Sequence, residues 1–93
     1  MVESERRRRP NINLAFIGIR LGDVLTLIDR PEETCVVVEL ESRLVFHKGE
    51  VKSLSAACND AYGVQYNDPS AAWAYDGETL NTRRQRFEDY HVM

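Results

Sequence analysis

The side chains able to do chemistry in this chain are few and scattered. His47 falls in a strand-like stretch and His91 close to the end, neither beside a nucleophile nor at a metal-ligand spacing, so His47 reads as a surface or edge residue. Glu39 and Glu41 are two apart, which places both carboxylates on one face of a strand. A general acid/base pair is geometrically open to them, but a solvated strand surface accounts for them with no His or Asp partner indicated. Ser53 and Ser55 are explained as a helix cap and a helix surface position rather than as nucleophiles. The five glycines stand singly at turns, so no Gly-rich phosphate loop exists. Cys35 and Cys58 lie in apolar settings on separate elements and read as two reduced core thiols, a buried disulfide being the alternative. No metal, no cofactor and no catalytic activity is expected from these residues.

Charge gives a stronger lead. Arg6, Arg7, Arg8 and Arg9 are consecutive, and Arg83, Arg84 and Arg86 form a second positive group. The chain carries a formal net charge of −3; with the +2 of residues 1–9 set aside, the remainder stands at −5. An acidic body is a poor match for a phosphate backbone, which is held by clustered Lys and Arg. Any nucleic-acid contact therefore needs the arginine arm, joined by Lys48, Lys52 and the second arginine group if the two ends meet. Trp73 and Tyr75 read first as core or lid anchors, and second as rings that approach a base.

These residues must be positioned by a single small domain of 93 residues, 43% hydrophobic and 29% charged. Residues 1–10 have the composition of a flexible basic tail, and residues 11–93 that of one domain. Ile12, Leu14 and Phe16 alternate as a short strand would. Residues 24–28 form an apolar strand, and residues 29–34, with Pro31, a hairpin loop. Residues 35–40, CVVVEL, have the β-branched content of a central strand, and residues 43–47 return beside it. The next stretch is the clearest. Leu54, Ala57, Cys58, Ala61 and Tyr62 fall at i, i+3, i+4, i+7 and i+8, with Ser53 suited to the N-cap and Gly63 to the left-handed C-terminal position. Asp68 and Pro69 start a further one or two turns of helix through Tyr75, ended by Asp76-Gly77, and residues 78–92 are helical in composition. The fold class is α+β: a small antiparallel meander of three or four strands with a helix packed on one face and a C-terminal helix.

Residues 48–80, KGEVKSLSAACNDAYG followed by DPSAAWAYDGETL, resemble the restriction-system adenine-methylase-associated domain and related accessory modules of restriction and modification enzymes. Ser53, Leu54, Ser55, Ala56, Gly63, Pro69, Ser70, Trp73 and Gly77 match in kind. Where that family ends in Asn-Gly-Trp, this chain has Asn81-Thr82-Arg83. The resemblance implies recognition of DNA or of its modification state. The expected function is thus a non-enzymatic nucleic-acid-associated module of restriction/modification or phage type. The alternative is a small phage or mobile-element protein that binds and inhibits or redirects a host protein. Expected partners are DNA or a host protein, with homodimer formation through an exposed sheet edge also open. No apolar run approaches the roughly 20 residues of a membrane span, and the basic start lacks a signal-peptide pattern, so a cytoplasmic location is expected.

Overall fold

The computed structural model describes residues 12–66 and 68–92. The expected arm, Arg6 to Arg9, lies outside the described residues. Four consecutive strands form the meander: β1 (Val24–Leu27), β2 (Arg30–Glu39), β3 (Leu44–His47) and β4 (Glu50–Ser53). A second hairpin, β5 (Trp73–Tyr75) and β6 (Glu78–Thr79), joins beside β1, giving six antiparallel strands in the order β4-β3-β2-β1-β5-β6. Helix α1 (Leu54–Tyr62) packs on β3 and β4. The short α2 (Pro69–Ala72) precedes β5, and α3 (Leu80–Val92) lies against β5, β6 and α2. The molecule is α+β, as its composition predicts.

Helix α1 forms where its periodicity places it. The Ser53 hydroxyl accepts a hydrogen bond from the Ala56 N–H at 3.1 Å, and the Gly63 N–H donates to the Asn59 carbonyl at 2.8 Å from a φ of +76°. Leu54, Ala57, Cys58 and Ala61 are buried against the sheet. Because the cap satisfies one of four orphan N–H groups, Ser53→Ala should lower stability by about 1 kcal/mol, read as a lower urea midpoint with an unchanged slope. Cys35 and Cys58 are free thiols in the same core, pushed up to about 12 and about 11 by burial.

Four local expectations are corrected. The stretch beginning at Ile12 is a coil of turns, not a strand. The Asn13 side-chain oxygen accepts from the Phe16 N–H and its carbonyl from the Ile17 N–H, which curls the chain. That curl turns Phe16 outward and buries Ile12, Leu14, Ile17 and Ile19. Second, the first hairpin turns at Ile28 and Asp29, so residues 30–34 belong to β2 rather than to a loop. Thr26 pairs with Thr34 and Leu27 with Arg30, which leaves Pro31, Glu32 and Glu33 as a bulge, a place where proline's missing N–H costs no ladder bond. Third, helix α2 stops at Ala72, and Trp73 to Tyr75 are extended because they pair with β1. Asp76 and Gly77, with φ of +56° and +81°, make the tight turn to β6, so α3 begins at Leu80 rather than at Glu78. Fourth, β2 ends at Glu39 and Glu41 sits in the following turn, so the two carboxylates are not a pair on one strand.

Candidate functional site

The basic side chains proposed from sequence are mostly committed within the fold. Arg83 lies on α3 with its side chain 15% exposed; its Nε donates to the Ile17 carbonyl at 2.6 Å, and its guanidinium stands over the rings of Tyr75 and Phe87. Arg86 binds both oxygens of Glu78, at 2.9 and 2.8 Å. Arg84 is buried. Arg83 thus ties α3 to the coil, and Arg83 and Arg86 tie it to β6 through Glu78. Tyr75 is half-buried beneath Arg83. Trp73 is fully buried in the core, so it cannot offer a face to a base, and its contact role is corrected: the indole faces inward because β5 pairs with β1, placing Trp73 opposite Leu27 on the core side.

Lys48 and Lys52 brace a buried histidine. His47, expected at the surface, is 1% exposed. Strand alternation carries it inward together with Val45, and β4 shields it from the edge. Its Nε2 lies 3.3 Å from Glu33 Oε1 and its Nδ1 3.7 Å from Asp60 Oδ2, with Trp73 packed edge-on at 6.0 Å. Lys48 Nζ is 3.8 Å from Glu33, and Lys52 Nζ is 3.2 Å from Asp60 and 3.5 Å from Glu50. A ring so enclosed is not presented to a solute, and the network is a packed polar brace. Among the described residues no group of three or more His, Cys, Asp and Glu side chains is placed to hold a metal ion.

The Lys52 hydrogen bond holds the Asp60 carboxyl below the usual carboxylate range, and the Arg86 hydrogen bond, helped by Arg83, does the same for Glu78. Carboxyls depressed in the folded state contribute stability above their unfolded values, and that contribution is lost as pH falls through the folded ones. The melting temperature should therefore hold between pH 7 and about pH 5 and drop below about pH 4. Glu78→Gln should melt lower at neutral pH and lose less on acidification.

Two concave sites lie among the described residues. A recess of about 110 Å3 between the coil and the start of α1, lined by Ser42, Arg43, Ser55 and Ser70 among others, falls short of the roughly 300 Å3 of a small-molecule pocket. A larger space of about 530 Å3 beside the end of α1, lined by Asn59, Asp60 and Gln65, is an open surface groove.

The largest unexplained feature is the sheet face turned away from α1. The register sets Val24 opposite Val36, Val36 opposite Phe46, and Phe46 opposite Val51, one apolar row across all four meander strands. Val24, Phe46 and Val51 are each about half exposed, and Val38 and Ile28 extend the exposed apolar surface. The adjoining row, Thr34, Thr26, Ala74 and Thr79, is also uncharged, but Ala74 is 1% exposed, so the open surface ends at β1. Glu33, Glu50 and Lys52 point to the helix side, whereas Glu39, at the end of β2, stands opposite Leu44 beside this row, and Glu32 is exposed in the bulge of β2. The row was not singled out from sequence, yet its signal was present. CVVV and LVF place apolar residues at both parities of a strand, the pattern of a sheet covered on both faces.

Comparison of the chain with protein-family models, curated proteins and solved structures returned no match.

Proposed function

We propose that the chain acts by binding rather than by catalysis, as an interaction module that docks a protein on the open face of its sheet. The observation that carries this reading is the row Val24, Val36, Phe46 and Val51, uncharged across four paired strands. Desolvating such a row costs little and removes apolar area from water, whereas a phosphate backbone would gain nothing from it. The nucleic-acid reading rests on Arg6 to Arg9 and on the resemblance of residues 48–80 to restriction-system modules. Its other residues, Lys52, Trp73, Arg83 and Arg86, have intramolecular duties that compete with it.

The test is capture from lysate by the purified chain, by Phe46→Asp, and by a variant with Arg6 to Arg9 changed to alanine, with and without nuclease and at low and high salt. One identified protein, retained at high salt, indifferent to nuclease and to the arginine change, lost with Phe46→Asp and rebinding as a purified component, is the expected result. Nucleic acid recovered at low salt, released steeply as salt rises and lost with the arginine change, would overturn the proposal.

A further inference from the structure

We infer that the recess between the coil and the start of α1 is an anion site that takes a single phosphate group, held by the Arg43 guanidinium and the hydroxyls of Ser53, Ser55 and Ser70. The site is separate from the Phe46 row and stands whether or not a protein docks on that face.

Two observations carry it. The first is how the recess is built. Four segments distant in sequence converge on it: the coil at Ile12, the turn between β2 and β3 at Ser42 and Arg43, the start of α1, and the start of α2 at Ser70. Its volume of about 110 Å3 is too small for most organic ligands, yet it admits one tetrahedral oxyanion with any substituent directed outward. The second is its chemistry. Among the described residues no Asp or Glu lines the recess, although the chain beyond residue 9 carries a net charge of −5. Arg43 has no carboxylate within ion-pair distance among the described residues, and its Nη1 donates only to the Glu41 carbonyl, at 3.3 Å. Lys48, Lys52, Arg83 and Arg86 are each paired with a carboxylate. Ser53 Oγ accepts from the Ala56 N–H, which leaves its own proton free to donate, and the Ser55 and Ser70 hydroxyls have no partner among the described residues. Ser42 is the one hydroxyl already donating, to Glu39 at 2.8 Å. A guanidinium fork with three available O–H donors suits the several acceptor oxygens of a phosphate. A cation would be repelled by Arg43, and a neutral ligand would leave its charge unmatched.

Exposure sets the strength. Arg43 is half-buried, so water and salt screen its charge, and inorganic phosphate should bind with a dissociation constant of about 1 mM. The backbone at Arg43 makes the site separable from the fold. Its φ is +57°, a left-handed conformation that glycine adopts without the strain an arginine bears there. Removing the side chain as Arg43→Gly therefore relieves strain while it takes the cation out of the recess.

Amide chemical shifts of the nitrogen-15-labelled full chain, titrated with sodium phosphate and with sodium chloride at equal ionic strength, test this. The expected result is saturable shifts at Ser42, Arg43, Ser55 and Ser70 with phosphate and none of that size with chloride. Arg43→Gly should weaken phosphate binding about tenfold or more while its urea midpoint stays equal or rises. Ser55→Ala, at an exposed position, should weaken it several-fold with the fold intact. Glycerol phosphate distinguishes the sources of the group. Saturation at the same residues assigns the site to a phosphate either free or esterified, and saturation by inorganic phosphate alone assigns it to the free ion. Phe46→Asp should bind phosphate as the unaltered chain does, so a failure at the recess leaves the docking reading untouched. Phosphate shifts no larger than those of chloride, or unchanged binding by Arg43→Gly, would overturn the inference.

Discussion

Trp73→Ala should cost about 3–5 kcal/mol, enough to leave a domain of this size partly unfolded at room temperature. The indole is fully buried in β5, where it joins the second hairpin to the meander through its pairing with Leu27 and packs edge-on against His47. Removing it empties the contact between three parts of the fold at once: β5, β1 and the polar brace of His47, Glu33 and Asp60. The cavity left behind adds to the lost transfer energy, because strands fixed by ladder bonds collapse poorly. Urea unfolding followed by far-ultraviolet circular dichroism measures the loss. Trp73→Phe should restore more than half of it, since most of the effect is buried area. If Trp73→Ala matched the unaltered chain, the indole would not be the anchor of β5.

Arg83→Met should cost about 2–3 kcal/mol, although methionine keeps the packing of the aliphatic stem. The guanidinium is the tie between α3 and the coil. It donates to the Ile17 carbonyl, pairs with Glu78 at 3.4 Å and covers the rings of Tyr75 and Phe87. Methionine keeps the packing but leaves the Ile17 carbonyl without its donor and removes one of two arginines beside Glu78. Arg83→Lys should recover only part of the loss, because an ammonium lacks the planar fork that reaches carbonyl and carboxylate together while lying on two rings. Gly18→Ala probes the same place from the other side. Gly18 has φ of +82°, and a Cβ there would come within 3.2 Å of Arg83 Nη2. Strain at that φ and crowding of the guanidinium both act against the alanine. Equal stability of Arg83→Met and the unaltered chain in urea would show that the tie contributes nothing.

Helix α1 was legible in the sequence because three independent signals coincide there: an apolar stripe, Ser53 at one end and Gly63 at the other. The α+β class and an antiparallel meander of three or four strands followed from the apolar runs and the turns between them; the second hairpin that widens the sheet to six strands did not. What escaped was set by partners distant in sequence. Residues 73–75 have helix-compatible composition, and only pairing with β1 draws them into strand. Pro31 signals a loop locally, yet a bulge admits it to a strand. Arg83 and Arg86 look like part of a solvated or phosphate-binding patch until Ile17 and Glu78 are brought to them, and a histidine's burial depends on which parity of β3 faces α1. The open sheet face was half visible, since a strand apolar at both parities announces two covered faces; which parity lacks a cover is settled only by where the helices land.

The central claim is that the sheet face carrying Phe46 is covered by protein when the chain is at work. Hydroxyl-radical footprinting tests it on the chain in its captured complex, against the free chain. Phe46 and Tyr90 are both exposed in the single chain, on the open face and on α3 respectively. The account predicts that labelling of Phe46 falls several-fold in the complex while labelling of Tyr90 is unchanged. Phe46 labelled as strongly in the complex as in the free chain would contradict it.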